Sequence, residues 1–414
     1  MNFTALHRLL GLPPQPITNE MIDAAVTAGI TETAELDWKS ELPPIKDLPK
    51  SDFPKDIAAM ANTGGGIIVY GITETQKAAT GRRDVGELTQ ELERALRSAA
   101  VTAITPPIFG LRIHQIGTTG NQVVAIVVDA NVDGPHLIYR GEYFGAPIRN
   151  DADTVWMKER QIELMYRARF DERRNSTDAL DTLYTEQVGG KDADKRAWLI
   201  AVAHPRLPAS TSTRPTLEQA KTMFDAANAH GYTGGGGGLS PLGSVRRDDP
   251  RPGLRRWIAR PTVELDTMSW KAAWASIHHN GAVTIAAAIG GHPGWPRDLP
   301  NDHVDSTTLE LAIADFMALI RIAGEHFGTS EYEARVGIEW TGGTPLIIQT
   351  ADTTGYPLTE NSLPLTRYTP VTTTVRAADD DNDYLRQIRT LAEDCINQGG
   401  ITFLRAISAA EPTL

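Results

Sequence analysis

The stretch Lys55–Glu74, "KDIAAMANTGGGIIVYGITE", decides the fold of the N-terminal half of the chain. It predicts a helix that begins near Pro54, since proline fits the first turn of a helix, and that ends at the three glycines. The apolar run "GIIVYGI" indicates a buried strand directly afterwards. Nucleotide-binding loops run from a strand to a helix, so the reverse order here favours a helix end over a phosphate loop.

The segments around this stretch alternate between helical and extended patterns, which is typical of an α/β arrangement. Helices are predicted at residues 3–11, 19–28 and 84–101, and strands at residues 34–40, 108–117 and 122–130. In the first of these strands, Leu36 and Trp38 alternate with Asp37 and Lys39, so its apolar face is expected to point inward. A polar turn and a long helix follow and complete a domain predicted to span residues 1–175.

The C-terminal half is predicted to form a second α+β domain at residues 196–414, joined by a polar linker at residues 176–195. Strands are predicted at residues 196–205, 255–265, 282–291, 333–340 and 345–351, and helices at residues 216–231, 307–328 and 381–399. The glycine run "TGGGGGLS" at residues 233–240 is not followed by the lysine of a phosphate-binding loop, so it is predicted to be a surface loop.

The composition bounds the class of protein. A chain of 414 residues exceeds what one core usually supports, and 41% hydrophobic and 22% charged residues are typical of globular domains. The net charge of −12 disfavours non-specific coating of DNA, because such binding neutralises many phosphates. The sequence has no signal peptide and no apolar run of about 18 residues, so we expect a cytoplasmic protein without a membrane partner. The single cysteine, Cys395, is predicted to be a buried apolar residue.

Three acidic residues lie where two strands can bring them together. Glu32 precedes the strand at residues 34–40, Asp37 lies on it, and Glu74 follows "GIIVYGI". If the two strands are neighbours in one sheet, the three carboxylates meet, and they repel one another unless a cation lies between them. Hard divalent cations prefer such oxygen ligands, whereas many acids at strand ends are only solvated. The residues alone leave both interpretations open.

Four motifs together resemble the Schlafen AlbA-like domain family over residues 15–172: "ETAELDWKS", "KDIAAMANTGGGIIVYGITE", "QVVAIVVDANVDGPHLI" and "IRNDADTVWMKERQIELMY". The resemblance implies a mixed sheet with flanking helices. In the Schlafen ribonucleases, two acids five residues apart and a third after the glycine-containing strand form the site. The resemblance thus implies Glu32, Asp37 and Glu74 as catalytic and metal-binding residues, with Glu35 as a bystander. Asp37 stands where the family usually has glutamate, and Glu74 where the nucleases have aspartate.

The resemblance further implies a divalent-metal-dependent endoribonuclease that uses Mg²⁺ or Mn²⁺ to cleave structured RNA. The implied substrate is tRNA, and the implied role is antiviral or stress defence. Other proteins with this domain are described as DNA-binding or ATP-binding regulators, so a non-catalytic nucleic-acid- or nucleotide-binding regulator is the alternative. Animal Schlafen cores pair two similar lobes, whereas this sequence contains one clear copy. We therefore expect a homodimer, or a C-terminal domain that forms the second wall of a groove.

Basic residues are candidates for contacts with RNA. Those in the N-terminal half that could contact phosphate are Lys39, Arg82, Arg83, Arg94 and Arg97. In the C-terminal half, "SVRRDDPRPGLRRWIARP" sets Arg255 and Arg256 beside Trp257, a pattern that can bind single-stranded nucleic acid when the ring stacks on a base. For each of these residues, a solvated side chain without a ligand is the alternative.

Overall fold

The chain divides into two compact units, Met1–Arg173 and Arg174–Leu414. The computed structural model describes residues 3–13, 15–207, 214–230, 232, 240–264, 268–293, 298–351, 357–358 and 362–407. Most of the glycine run, residues 233–239, therefore lies outside the described residues.

The division between the units falls inside helix α5, Glu159–Val188. Residues 176–188 are thus helical, where a linker had been predicted. Leu180 and Tyr184, one helical turn apart, are buried against the apolar side chains of Trp198 and Ile200. This tertiary packing stabilises a polar stretch whose composition alone suggested a linker.

The N-terminal unit is a mixed sheet with flanking helices. Its helices are α1, Ala5–Leu10; α2, Asn19–Thr27; α3, Phe53–Thr63; α4, Gln90–Thr102; and part of α5. Its strands are β1, Leu36–Lys39; β2, Gly66–Tyr70; β3, Ile72–Thr75; β4, Ala78–Arg82; β5, Ile104–Thr105; β6, Arg112–Ile116; β7, Val123–Val128; β8, Leu137–Arg140; β9, Tyr143–Gly145; β10, Pro147–Asn150; and β11, Asp153–Trp156. The main sheet has the order β1-β2-β7-β6, with β1 parallel to β2 and the other pairs antiparallel. The predicted fold class of this half is confirmed.

The stretch that decided the fold forms the predicted elements. Helix α3 has Pro54 in its first turn, and it ends at Gly64, whose φ of 112° lies in the left-handed region that glycine tolerates. The buried strand β2 begins two residues later, at Gly66. It pairs with β1 on one side and with β7 on the other, so it lies inside the sheet.

Both faces of this sheet are covered. Leu36 and Trp38 of β1 pack with side chains of α1 and α2, as the alternation predicted. Ile68 and Tyr70 of β2 pack on the opposite face with α3 and α4. Asp37 points toward that second face and is 2% exposed, so a charged side chain is enclosed where the pattern suggested a solvated one.

Two further differences from the expected N-terminal elements have local causes. The helix predicted from residue 84 begins at Gln90, because the side chain of Thr89 caps it and accepts the N–H of Leu92. The predicted polar turn before α5 is the antiparallel hairpin β10–β11, in which Arg149 pairs with Thr154. Short strands of polar residues carry little hydrophobic signal, so the sequence did not reveal this hairpin.

The C-terminal unit is a second α+β domain, as predicted. Its strands are β12, Trp198–Pro205; β13, Arg251–Gly253; β14, Arg256–Ala259; β15, Ala273–His278; β16, Val283–Ala288; β17, His303–Asp305; β18, Glu331–Glu339; β19, Ile347–Ala351; β20, Pro357–Leu358; and β21, Val371–Arg376. Its further helices are α6, Leu217–Ala229; α7, Ser306–Phe327; and α8, Asp381–Asn397. Seven strands form an antiparallel sheet in the order β13-β14-β15-β16-β12-β18-β21.

The core of the C-terminal unit lies between this sheet and helices α6, α7 and α8. Cys395, on α8, is fully buried in that core, which confirms its predicted packing role. Among the described helices, none combines the length and the apolar character that a bilayer span requires.

Candidate functional site

The site is built at the edge strand β1 of the N-terminal sheet. The parallel register sets Asp37 beside Ile68 and Lys39 beside Tyr70, so β1 and β2 are neighbours, as the acid hypothesis required. Because side chains alternate along a strand, Asp37 and Lys39 share the face of the sheet that α3 covers. A carboxylate and an ammonium are therefore held together beneath a helix.

Glu32 reaches the same place from the segment that precedes β1. Its backbone N–H donates to the carbonyl oxygen of Lys77 at 2.8 Å, which ties the segment to the β3–β4 hairpin. Its side-chain Oε1 accepts the N–H of Trp38 at 3.0 Å. The Glu32 side chain consequently lies against the start of β1, next to the carboxyl group of Asp37, and the residue is 9% exposed.

The environment of Glu32 disfavours its negative charge. Burial, together with repulsion from Asp37 and Glu74, raises the pKa of Glu32 to about 7, although the N–H of Trp38 acts in the opposite direction. The protonated form of this carboxyl group is therefore favoured to a higher pH than in an exposed glutamate. Perturbed carboxyl groups of this kind are concentrated at ligand and catalytic sites.

Glu74 stands apart from the other two acids. It lies on β3, opposite Ala79 of β4, next to a bulge in that hairpin, and its side chain is exposed. It is close enough for its charge to act on Glu32. Among the described residues, no group of three or more His, Cys, Asp or Glu side chains is arranged to hold a metal ion. The structure therefore brings Glu32 and Asp37 together and does not bring Glu74 into the same cluster.

Asp37 has two cationic partners inside the fold. Nη1 of Arg149, on β10, lies 3.1 Å from its Oδ1, and Nζ of Lys39 lies 2.9 Å from its Oδ2. Arg149 also donates from Nη2 to the carbonyl oxygen of Thr33 at 3.3 Å, and from Nη1 to Oγ1 of Thr154 at 3.4 Å. With a side chain only 3% exposed, Arg149 is a fixed part of the structure that orients the Asp37 carboxylate.

A fourth acid, Asp56, belongs to this cluster and was missed in the sequence. It lies in the first turn of α3, is 6% exposed, and has Oδ2 3.5 Å from Nζ of Lys39. Burial raises the pKa of Asp56, while the attraction of Lys39 opposes that rise. Asp56 precedes the buried Met60 by four residues, and this spacing could have placed it on the inward face of α3.

Lys39 is thus neither free nor fully solvated. Burial lowers the pKa of its ammonium group, but the attraction of Asp37 and Asp56 outweighs that effect, so the pKa is raised and the charge is retained. The side chain is still 37% exposed, so it lies at the boundary between the cluster and solvent.

The predicted RNA-contacting arginines of the N-terminal unit have different roles. Arg82 is buried and donates to Asn19 at 2.8 Å and Asp23 at 2.6 Å, so it connects β4 to α2. Arg97 contacts Glu93 and the carbonyl oxygen of Leu111. The Arg82 side chain, which is 8% exposed, therefore holds the fold together, whereas Arg97 makes its contacts at the surface with a side chain that is 45% exposed.

Two other predicted arginines of the N-terminal unit, Arg83 and Arg94, are also exposed. Arg83 is exposed and pairs with Glu41 at 2.6 Å. Its backbone N–H donates to the carbonyl oxygen of Gly71. The N–H of Gly71 in turn donates to the carbonyl oxygen of Lys39, so Arg83 flanks the end of β1. Arg94 is exposed on α4.

The basic segment of the C-terminal unit contains a partly buried tryptophan. Trp257 packs against the core and donates its indole N–H to the carbonyl oxygen of Pro215 at 2.9 Å, so its position is fixed by the fold. Arg256 pairs with Glu186 at 2.6 Å. Arg255 is exposed in the turn between β13 and β14, with a φ of 53°.

Comparison with known proteins identifies the N-terminal domain. Residues 32–158 match the model of the family described as Schlafen, AlbA_2. No curated protein matches the chain.

Two solved structures resemble parts of the chain. One is the N-terminal domain of a protein named as related to the ATP-dependent DNA helicase RecG, from Nitrosomonas europaea, which is 16% identical over 35% of this chain and 94% of its own, with a TM-score of 0.26. The other is the DIP2311 protein from Corynebacterium diphtheriae, which is 16% identical over 50% of this chain and 32% of its own, with a TM-score of 0.25. TM-scores this low do not establish a shared fold, so the assignment rests on the family match. Residues 32–158, which contain Glu32, Asp37, Asp56 and Arg149, form a domain of the Schlafen, AlbA_2 family, which covers nucleic-acid-associated functions.

Proposed function

We propose that the N-terminal domain is a divalent-metal-dependent endoribonuclease that cleaves structured RNA, with tRNA as its substrate. The observation that carries the proposal is the meeting of Glu32 and Asp37 in an enclosed place, where burial and like charge raise the pKa of Glu32 to about 7. A cation bound between the two carboxylates relieves that repulsion. The family match at residues 32–158 supports an action on nucleic acid.

The donor chemistry of the site fits Mg²⁺ or Mn²⁺, because hard divalent cations prefer carboxylate oxygens. Glu32 and Asp37 would hold the ion, and Glu74, which lies outside their cluster but acts on the charge of Glu32, would become a third ligand only if its exposed side chain turned toward them. A bound ion of this kind polarises a phosphoryl oxygen and lowers the pKa of a coordinated water. The chain itself would orient Asp37 through Arg149 and Glu32 through the N–H of Trp38.

Positive charge near β1 would hold the RNA backbone. Lys39 and Arg83 meet this requirement in position, because both lie at the end of β1 and both reach solvent. Arg94, on α4, is a further exposed candidate. The single copy of this domain in the chain supports a homodimer, which light scattering of the purified protein would test; a monomer at working concentration would contradict it.

The test compares wild type with Glu32→Gln and with the control Glu35→Gln on total tRNA in the presence of Mn²⁺. Glu32→Gln retains the size of the side chain and removes a charge that the fold disfavours, so the variant is expected to fold. We expect cleavage to fall by at least about 100-fold in Glu32→Gln, and to be abolished by EDTA, since a metal site contributes several kcal/mol to the transition state. Glu35 pairs with Arg8 on the surface, so Glu35→Gln should cleave normally. Intact tRNA with wild-type protein would reject the proposal for this substrate.

A second function is favoured by one specific observation. The Asp37 carboxylate already has Arg149 and Lys39 as partners, so its charge is balanced without a metal ion. A domain with this balance could bind nucleic acid without cutting it, as a regulator does. Salt-sensitive binding of RNA or DNA that leaves the nucleic acid intact and does not respond to Mn²⁺ would identify this function.

A further inference from the structure

Two buried carboxylates on different elements share one ammonium group. Nζ of Lys39 lies 2.9 Å from Oδ2 of Asp37, on β1, and 3.5 Å from Oδ2 of Asp56, on α3. Both carboxylates are buried, whereas the Lys39 side chain is 37% exposed. The flexible four-carbon stem of a lysine allows its charge to shift between such neighbours with little movement elsewhere.

The two carboxylates are unequally balanced. Asp37 has a second cation, Arg149, which is held in place by Thr33 and Thr154. For Asp56, Lys39 is the cation within ion-pair distance among the described residues. Its chain neighbour Lys55 pairs with Asp52 at 2.8 Å. Movement of Lys39 toward Asp56 would therefore improve the balance at Asp56 while Arg149 still compensates Asp37.

A divalent cation at the Glu32–Asp37 pair makes this movement favourable. The Lys39 ammonium and the metal ion would lie on the same carboxylate, and two cations at such short separation repel each other. Arg149 cannot withdraw, because its side chain is enclosed. Lys39 can withdraw, and Asp56 is the group that would receive it.

We propose that Asp56 is a positioning residue, which accepts the Lys39 ammonium when a divalent cation binds at Glu32 and Asp37. Lys39 then acts as the internal counter-ion of the metal-free site, and the metal replaces it. This inference rests on the proposed metal-dependent function and adds a residue and an exchange of cations to it.

The test is a double-mutant cycle on Mn²⁺ affinity, measured by calorimetry on the full chain without RNA. Asp56→Asn keeps Lys39 on Asp37, so Mn²⁺ should bind about tenfold more weakly than in wild type. Lys39→Met removes the competing cation, so Mn²⁺ should bind several-fold more tightly. In the Lys39→Met background, Asp56→Asn should change the affinity by less than about threefold, because no ammonium remains to be received.

The matched control is Asp52→Asn, which removes the same charge four residues earlier, at the exposed start of the same helix. Its Mn²⁺ affinity should stay within about twofold of wild type. Circular dichroism and thermal unfolding of every variant separate a lost fold from a lost exchange. Should Asp56→Asn fail to fold, Lys39→Met alone decides, and an affinity equal to or weaker than that of wild type would overturn the inference.

The outcomes also separate this inference from the proposed function. Equal loss of affinity for Asp56→Asn in both backgrounds, with Mn²⁺ bound by wild type, would overturn the exchange and leave the metal site in place. Absence of Mn²⁺ binding in wild type, together with intact tRNA, would overturn the metal-dependent function and the exchange with it.

Discussion

Each unit of the protein encloses a glutamate, and the two glutamates have opposite surroundings. Glu310, on α7 of the C-terminal unit, is fully buried. Its carboxylate accepts the backbone N–H groups of Arg405, Ala406 and Ile407 at distances from 2.7 to 3.2 Å. Glu32, in the N-terminal unit, accepts one backbone N–H and faces the charges of two other acids.

The difference shows how an enclosed acid can be recognised as structural or as a candidate ligand. Several N–H donors stabilise a carboxylate inside a fold, and Glu310 thereby holds the chain segment at residues 405–407 against α7. Neighbouring acids destabilise a carboxylate, and a fold retains such a pair only if the rest of the structure compensates for it. At Glu32 the instability is local, so a cation from solvent can relieve it.

The largest expected change in stability tests whether Arg149 is needed to balance the buried charge of Asp37. Arg149→Met should destabilise the N-terminal unit by about 3–5 kcal/mol, because it leaves a buried carboxylate with a single cation at the edge of solvent. Chemical denaturation, followed by hydrogen exchange of β1 and β2, would measure this loss. An unchanged free energy of unfolding would mean that Lys39 alone balances Asp37.

The next effect concerns Glu310. Glu310→Gln should destabilise the C-terminal unit by about 2 kcal/mol, since the amide keeps one acceptor oxygen but loses the charge that three backbone N–H groups share. Amide exchange of residues 405–407 should accelerate accordingly. Retained protection there would show that these hydrogen bonds do not hold the segment.

Glu32→Gln should stabilise the N-terminal unit, whereas the two preceding variants destabilise their units. The size of this stabilisation should depend on pH. The folded-state pKa of about 7 lies above the ordinary value of 4.5, so the protonated form stabilises the fold. That stability is fully present below pH 4.5 and is lost as the pH rises through 7. The glutamine side chain is uncharged at every pH, so the free energy of unfolding of the variant should match that of wild type at pH 4. Above pH 8 it should exceed the wild-type value by about 1–2 kcal/mol, a range reduced for partial contact with solvent.

Thermal unfolding of the N-terminal unit at both pH values would measure this difference. A carboxyl carbon NMR titration of Glu32 in wild type provides an independent check. If Glu32 titrates near 4.5, the contrast with Glu310 disappears.

The smallest expected effect is at Glu35, three residues along the chain from Glu32. Its carboxylate pairs with Arg8 on the surface, and exposed pairs contribute little because water screens them. Glu35→Gln should change the free energy of unfolding by less than about 0.5 kcal/mol. A change as large as that of Glu32→Gln would show that the two positions are not distinguished by burial.

Much of the N-terminal fold was predictable because its signals are local. The proline, glycines and apolar run around α3 and β2 each act within a few residues, and the alternation in β1 identified the face of Leu36 and Trp38. The hairpin β10–β11 and the helical character of residues 176–188 were not predictable in this way. Both depend on packing against segments that are distant in the sequence.

The same distinction between local signals and contacts of distant segments applies to the candidate site. The pairing of Glu32 with Asp37 followed from a resemblance and from neighbouring strands, and the structure brings these two acids together. The roles of Asp56 and of the enclosed Arg149 did not follow, because α3 and β10 approach β1 only in the folded chain. For the same reason, Arg82 and Arg97 could not be recognised as structural contacts from their charge.

The sequence by itself determined the helix, glycine turn and buried strand of the N-terminal domain, the presence of a second α+β domain, and the position of the acids on β1 and its flanks. These features depend on backbone preferences and on the spacing of apolar side chains, which operate over a few residues. Only the tertiary structure decided which charges face one another, because electrostatic balance depends on distances between segments far apart in the chain. It is this arrangement that gives Glu32 unfavourable neighbours and gives Asp37 two cationic partners.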